Sequence, residues 1–318
     1  MASSLQSAFL ITLLLFSIGV TSANTGAKSY WNTKLPNTPM PNSLLLSLAT
    51  QDNRDVWLST HNKAHKWTHS DEVMLQGYEG GGHCHVDAMK NTDTMTTTFF
   101  LQKDLTSGST LTVHLKDGIG SADTRFPSPA LLQSMPPFKS SHLLNNLRFF
   151  NADASSDAAM FMNLTLSTCE HPNSINGNNQ HCATSLEDLV SYVTSTLSGG
   201  ADKLRAISAP VSGSHRDEMV GYKVVGVSQV ATEEKLVACH RLGFPYAVYY
   251  CHQPKGTTAY GVTLVDLKKG VKSDAYAVCH SQTAEWSPEY VGFKVLGVKP
   301  GTHVCHFLQF HDLVWFRG

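Results

Sequence analysis

The 318-residue chain has no excess of charge of either sign. Lys and Arg together number 24 and Asp and Glu 25, so the formal net charge is −1 with His neutral. Nucleic-acid-binding proteins normally carry a surplus of basic residues, and interaction tails normally carry a block of like charges. The composition therefore predicts no nucleic-acid partner.

Long apolar runs are also absent, except at the N-terminus. There the stretch AFLITLLLFSIGV, residues 8–20, precedes the small residues Thr21 and Ala23. This order is typical of a secretory signal peptide cleaved after Ala23, which makes residues 1–23 the signal and leaves no membrane segment in the mature chain. We expect a protein of the secretory pathway, located in the extracellular space or a vacuole.

Cysteines with the two-to-four-residue spacing of structural zinc sites are missing as well. The seven cysteines present are Cys84, Cys169, Cys182, Cys239, Cys251, Cys279 and Cys305. In an oxidising compartment they are expected to form disulfides, and the odd number leaves at least one without a partner in the chain. Cys169 and Cys182 are placed to staple the loop that leads into a predicted helix.

Each of the last four cysteines is followed directly by a histidine: His240, His252, His280 and His306. The strings VYYCH and YAVCH resemble strand ends, where adjacent side chains point to opposite faces. We therefore expect the four cysteines to form two disulfides, with three pairings open, and the four imidazoles to converge on the other side as metal ligands. An imidazole-only set suits copper well, and zinc or nickel less specifically.

The organisation of the chain predicts an α+β protein that is mostly β. Residues 24–96, rich in Pro, Asn and Gly, are expected to be an irregular and poorly packed N-terminal segment, and residues 97–318 a folded domain stapled by disulfides. One amphipathic helix is predicted after Thr184, with a capping box of Thr184 and Glu187. The near-identical strings VGYKVVGV (220–227) and VGFKVLGV (291–298) point to an internal duplication of strands with two related half-sites.

Three further sites are predicted on weaker patterns. His83 and His85 flank Cys84 in the flexible string GGGHCH and are secondary metal candidates, as is His303. Asn163 begins the sequon Asn-Leu-Thr and is a candidate for N-glycosylation.

The four Cys-His pairs followed by Trp315 resemble the signature of the BURP domain, a plant-specific secreted family. The resemblance extends upstream through TFFLQKDLTSGSTLTVHL, FPSP…MPPF and CEHP…CATSLEDLV, and covers residues 97–315. The gap between His280 and Cys305 is one residue shorter than the spacing usual in the family. The leader SYWNTKLPNTPMP resembles that of the seed-protein and dehydration-responsive members.

The resemblance implies an activity, because some such members are copper-dependent, autocatalytic peptide cyclases. They cross-link a Trp or Tyr ring in their own N-terminal core peptide to an unactivated carbon, using dioxygen, and proteases then free the cyclic product. The expected cofactor is two copper ions held by the four histidines. The core predicted here is QDNRDVW: Gln51, Asp52, Asn53, Arg54, Asp55, Val56 and Trp57. HNKAHKW, ending at Trp67, is a second option.

Two other functions also remain compatible with the sequence. Some BURP proteins resemble non-enzymatic cell-wall partners in the apoplast, which would bind pectin or polygalacturonase, and the 16 histidines also fit a copper or zinc storage protein. No Asp, Glu or Tyr stands out as a catalytic base.

Overall fold

The structure, a computed structural model, describes residues 26–48, 98–113, 115, 125–171, 179–197, 199–209, 219–309 and 311–318. Its helices are α1 (26–34), α2 (Asn42–Leu46), α3 (Pro129–Ser134), α4 (Leu143–Phe149), α5 (Asp157–Glu170), α6 (Leu186–Thr196) and α7 (Val291–Leu296). Its strands are β1 (Phe99–Leu101), β2 (Thr110–Val113), β3 (His181–Ala183), β4 (Leu204–Ile207), β5 (Val220–Thr232), β6 (Leu236–Leu242), β7 (Val248–His252), β8 (Thr257–Asp266), β9 (Lys272–His280), β10 (Val304–Phe307) and β11 (Leu313–Arg317). The predicted α+β, mostly β class is confirmed. None of the helices in these ranges has the length and apolar character needed to span a membrane.

The strands form two antiparallel sheets. Sheet A has the order β1-β10-β9-β8-β5-β2, and sheet B has the order β3-β7-β6-β11-β4. A cluster of small and branched side chains joins one face of each sheet, including Ala238 and Val314 from sheet B and Ala259 and Val278 from sheet A. The two sheets therefore pack face to face through these residues.

Alternation along the strands sends neighbouring residues to different layers. On β6, Leu236, Ala238 and His240 share the face that looks toward sheet A, while Cys239 belongs to the core on the outer side of sheet B. On β9, Val278 and His280 likewise share one face, while Cys279 packs into a core on the other side of sheet A. Each Cys-His pair thus points its two side chains into separate layers.

Helix α6 covers the outer face of sheet B. The predicted amphipathic helix is present, and its apolar residues are buried: Leu186, Leu189, Val190, Val193 and, just after it, Leu197. The predicted capping box is wrong by one position. Ser185 is the N-cap, because its hydroxyl accepts from the backbone N–H of Asp188. The pair Ser185 and Asp188 has the same three-residue spacing as Thr184 and Glu187, so the sequence pattern fits either register.

Residues 26–48 are better packed than predicted. The ring of Trp31 is buried and lies 5.5 Å from the ring of Trp315, and its indole N–H donates to the carbonyl of Thr38 at 2.6 Å. Leu35 and Leu44 are buried in the same core. The apolar residues of this short, Pro-rich segment show no regular spacing in the sequence. They pack against sheet B and α6, so their burial was not predicted.

The repeated string takes two different structures. Val220–Thr232 is strand β5, paired with β2 and β8, whereas Val291–Leu296 is helix α7. The predicted duplication of strands is therefore wrong at this point. The helix ends at Gly297, which has a φ of 63°, and Val298 N–H donates back to Phe293 O at 2.9 Å. Tertiary packing of Phe293 and its neighbours, and not the local string, selects the helix.

Candidate metal site

Two antiparallel strand pairs carry the four Cys-His motifs in the same arrangement. Cys239 lies directly opposite Cys251 in the β6–β7 register, and Cys279 lies directly opposite Cys305 in the β9–β10 register. Each opposed pair forms a disulfide, so the structure selects one of the three pairings that the sequence left open. The predicted Cys169–Cys182 disulfide is also present.

The register also explains how the histidines meet. When two cysteines are opposed in an antiparallel ladder, the residues that follow them lie diagonally across the other face, within reach of long side chains. His240 and His252 meet in this way on sheet B, and His280 and His306 on sheet A.

The first pair, here called the buried pair, consists of His240 and His252. Their Nε2 atoms are 3.2 Å apart, and the two residues are 4% and 7% exposed. The Nδ1 atom of His240 is 3.3 Å from a carboxylate oxygen of Asp312, a residue with no exposed surface. The ring of Tyr250 stacks on His252 at 5.4 Å.

The second pair, here called the aromatic pair, consists of His280 and His306, with Nε2 atoms 3.4 Å apart. His306 is buried, whereas His280, at the end of β9, is partly exposed. The His280 ring contacts Trp286 at 5.0 Å, and the His306 ring contacts Phe99 at 5.7 Å. Each histidine of this pair therefore has an aromatic ring beside it.

Hydrogen-bond partners assign the tautomers of the aromatic pair. His306 Nδ1 donates to the carbonyl of Phe307 at 3.2 Å. The Thr257 hydroxyl donates to the Lys255 carbonyl at 3.2 Å and accepts from His280 Nδ1 at 2.9 Å. Both Nε2 atoms are then lone-pair acceptors aimed at each other, an arrangement that a cation between them would stabilise.

Burial favours the neutral form of His240, His280 and His306, because it lowers the pKa of each. Burial lowers the pKa of His240 and His280 well below the ordinary value, and repulsion from protonated His306 lowers both further. Burial also lowers the pKa of His306, although the Asp312 carboxylate opposes the shift. His252 also lowers the pKa of His280, so the two pairs are close enough to interact. Neutral imidazole is the form that binds metal ions.

The geometry of each histidine pair fits two imidazole ligands of one metal ion. Two ligands of one tetrahedral ion with bonds of about 2.0 Å are about 3.3 Å apart, close to the spacing in both pairs. Oxygen atoms at the Nδ1 positions of His240, His280 and His306 match the outer contacts that orient metal-binding histidines. Across the described ranges, no group of three or more His, Cys, Asp or Glu residues is arranged to hold a metal ion.

Asp312, Thr257 and Trp286 were not predicted from the sequence as site residues. Asp312 lies in the string HDLVW beside Trp315, and Trp286 follows His280 by six residues. A search for polar or aromatic residues close to each Cys-His motif in the chain would have found these two. Thr257 follows His252 by five residues and would have appeared in the same search, but only the register of β8 against β9 shows that it meets His280.

The remaining predicted sites fall outside this cluster. His303 is exposed just before β10, and Asn163 is exposed on α5. Glycosylation of Asn163 stays a prediction, and Thr165 of its sequon is buried with its hydroxyl donating to Gly243 O at 2.8 Å. The signal peptide, the core at 51–57, Trp67, His83, Cys84 and His85 lie outside the described residues.

Comparison with known proteins agrees with this architecture. Residues 98–317 match the BURP domain, and the chain belongs to the BURP-domain family. It is 38% identical over 223 residues to BURP domain protein RD22 of Arabidopsis thaliana, covering 69% of this chain and 55% of that protein. It is 39% identical over 221 residues to BURP domain-containing protein 5 of Oryza sativa subsp. japonica, covering 69% and 66%.

The chain is also similar to a protein of wheat. Protein RAFTIN 1B of Triticum aestivum is 34% identical over 233 residues, covering 70% of this chain and 60% of that protein. The chain therefore spans only part of the length of the relatives it matches. The three disulfides agree with an oxidising, extracellular type of compartment.

Proposed function

We propose that this protein is a secreted, copper-dependent peptide cyclase that cross-links the Trp57 side chain to an upstream residue of its own N-terminal segment. The observation that carries the proposal is the pair of Nε2 contacts, 3.2 Å and 3.4 Å long, on the inter-sheet face. All six cysteines in the described ranges are in disulfides, so none of them offers a thiolate that would compete with the four imidazoles as a metal ligand. Such a set favours copper.

The residues of the site have distinct tasks in this proposal. His240, His252, His280 and His306 would hold two copper ions, one for each pair, and Asp312 and Thr257 would fix the rings through Nδ1. Copper held by imidazoles supplies one-electron oxidation driven by dioxygen. His240, His252 and His306 are buried, which would limit water around the metal ions and favour reaction with the tethered peptide over reaction with solvent.

The attachment of the substrate segment supports action in cis. The described chain resumes at residue 98, and the next residue, Phe99, already contacts the ring of His306. At the other end of the segment, Leu48 is buried in the core of sheet B. Residues 49–97 are therefore joined to the domain at both ends, and this tethering raises the effective concentration of Trp57 at the site.

The proposed reaction balances as a dehydrogenation. One hydrogen leaves the Trp57 indole and one leaves a carbon of Asn53 or Arg54, and the two carbon or nitrogen centres form the new bond. The two hydrogens, with their electrons, pass to dioxygen and give hydrogen peroxide. The peptide therefore becomes lighter by two hydrogens per cross-link, and proteases would then free the ring.

The direct test is mass spectrometry of the full mature chain after incubation with Cu(II) in air. We expect the digest fragment that holds Trp57 to lose two hydrogens, with backbone fragmentation suppressed between Gln51 and Trp57. Trp57→Ala should abolish the loss, and Trp67→Ala, the matched control, should leave it unchanged. An unmodified segment in copper-loaded protein would favour a non-enzymatic role in the cell wall instead.

A further inference from the structure

We propose that Trp286 and Phe99 form the docking place for the aromatic side chain of the peptide substrate, and that Trp57 of this chain is its occupant. The inference rests on the proposed function and names the surface that function would use. The two histidine pairs differ in solvent access. His280 is a partly exposed residue, and so are Trp286 and Phe99, whose rings contact the aromatic pair.

The rings around the aromatic pair form a closed circuit. Successive centroid distances are 5.0 Å from His280 to Trp286, 4.8 Å to Tyr290, 6.0 Å to Phe99, 5.7 Å to His306 and 5.5 Å back to His280. Tyr290 is buried, and its ring contacts the rings of both Trp286 and Phe99, which are partly exposed residues. A partly exposed aromatic wall beside a polar, buried centre is typical of a small binding site.

The position of Trp286 is fixed by its own loop. The backbone N–H of Trp286 donates to Thr283 O at 3.2 Å. Thr283 is fully buried, and its hydroxyl donates to Thr302 O at 2.8 Å and accepts from Gly301 N at 3.1 Å. The two ends of the connection between β9 and β10 are thereby joined, and the indole is held against His280 before any substrate arrives. Such preorganisation lowers the cost of binding.

The attachment of residues 49–97 next to this surface indicates Trp57 as its occupant. Phe99 follows residues 49–97 by two positions, so that segment joins the described domain next to this surface. Indole is the largest aromatic ring that a side chain offers, and offset or edge-to-face contacts with Trp286 would place it beside the His280 ring. A peptide without an aromatic residue would lack this contact.

Binding can be measured without copper or turnover. In the copper-free full-length chain carrying Trp57→Ala, we would titrate the acetylated and amidated peptide QDNRDVW and follow binding by calorimetry. Trp286→Leu should weaken binding about tenfold, and Phe99→Leu should weaken it by a smaller factor, since each removes one aromatic partner. The peptide QDNRDVA should bind at least tenfold more weakly than QDNRDVW.

A matched control separates docking from structure. Phe293→Leu changes a buried ring that contacts both Trp286 and Tyr290 without facing solvent. It should leave peptide binding unchanged, and Trp286→Phe should keep most of it. If Trp286→Leu loosens the fold, the Phe99→Leu variant and the QDNRDVA peptide still decide the question.

The outcomes distinguish this inference from the proposed function. The docking site is wrong if the Trp57→Ala chain does not bind QDNRDVW, or if adding Trp286→Leu to that chain leaves its affinity unchanged. Either result would overturn the docking site even if the natural chain cross-links Trp57. Binding that depends on Trp286, in a chain that copper and air leave unmodified, keeps the docking site and overturns the cyclase.

Discussion

The two histidine pairs share a backbone arrangement and differ in what surrounds them. In both, opposed cysteines form a disulfide on one face and the following histidines meet on the other. The buried pair has the Asp312 carboxylate at the back of one ring, whereas the aromatic pair has the neutral Thr257 hydroxyl and the rings of Trp286 and Phe99. One ladder geometry thus produces two chemically different sites.

The difference in surroundings implies a difference in role. A buried carboxylate is costly unless a positive charge is nearby, so the buried pair is suited to keeping a cation permanently. The aromatic pair has the Thr257 hydroxyl and the Phe307 carbonyl at its Nδ1 atoms and a partly exposed edge at His280, so it is suited to meeting a substrate. We expect the buried pair to bind copper more tightly and the aromatic pair to be closer to the reaction.

The largest expected effect comes from removing one ligand from each pair in turn. We expect the parent chain to bind two copper ions, and His252→Ala and His306→Ala each to bind one, because the imidazoles lie in two pairs with separate Nε2 contacts. Metal content after gel filtration measures this directly. Loss of all copper in either single variant would show that the four histidines share one site. His303→Ala, at an exposed position, is the control.

The next effect is on stability, through the disulfides behind the pairs. Replacing Cys239 and Cys251 by Ala opens a disulfide loop whose ends are 12 residues apart in sequence. Replacing Cys279 and Cys305 opens a loop whose ends are 26 residues apart. The chain-entropy model gives a loss of about 3 kcal/mol in the free energy of unfolding for the first and about 0.7 kcal/mol more for the second. Chemical denaturation of the copper-free double variants measures both values.

The third disulfide provides a control matched in loop length. Cys169 and Cys182 have a sequence separation of 13, and neither is followed by a histidine, although Cys182 lies opposite Tyr250 on the strand next to β7. Their replacement by Ala should cost about 3 kcal/mol as well, yet leave copper binding unchanged. Weakened copper binding in this variant, equal to that of the Cys239 and Cys251 variant, would mean that global loosening and not local geometry controls the site.

The sequence was sufficient to predict the separation of cysteines from histidines. Adjacent residues on a strand point to opposite faces, so the Cys-His dipeptides themselves carry that information. The choice of disulfide partners could not be predicted, because it depends on which strands are neighbours and in what register. Asp312 illustrates the same limit, since it meets His240 across 72 positions of sequence.

Local patterns failed where packing decides between two structures. VGYKVVGV is a strand and VGFKVLGV contains a helix, although both strings alternate similarly. The first has neighbouring strands on both sides, while the second buries Phe293 among Tyr290 and Val304. The burial of Trp31 was missed for a related reason, because its partner Trp315 is at the other end of the chain.

The third prediction compares the residues behind the rings. Asp312→Asn keeps the size of the buried side chain but removes its charge, and we expect copper affinity at the buried pair to fall by about 10- to 100-fold. Thr257→Val removes the oxygen that accepts from His280, and affinity at the aromatic pair should fall toward the lower end of that range, because a neutral partner is lost. Competition with a chelator of known affinity measures both.

A histidine–carboxylate contact elsewhere in the molecule controls for the removal of charge. His181 Nε2 lies 2.8 Å from Asp188 on α6, and both side chains are more than one-third exposed. Asp188→Asn should therefore leave copper affinity unchanged. A loss as large as that of Asp312→Asn, or a larger loss in Thr257→Val than in Asp312→Asn, would contradict the proposed difference between the pairs.

The smallest effect is on how the stability of the copper-free protein depends on pH. Because burial holds the pKa of His240 well below its unfolded value of about 6.5, the unfolded chain binds a proton that the folded chain does not. The stability contributed by neutral His240 is thus present above pH ~6.5 and is lost as the pH falls, at about 1.4 kcal/mol per pH unit. His240→Gln should make the slope shallower by about that amount, whereas His306→Gln should change it less, because Asp312 opposes the lowering of the His306 pKa. Urea unfolding at pH 7, 6 and 5 measures the slopes, and equal changes in the two variants would show that Asp312 does not oppose the lowering of the His306 pKa.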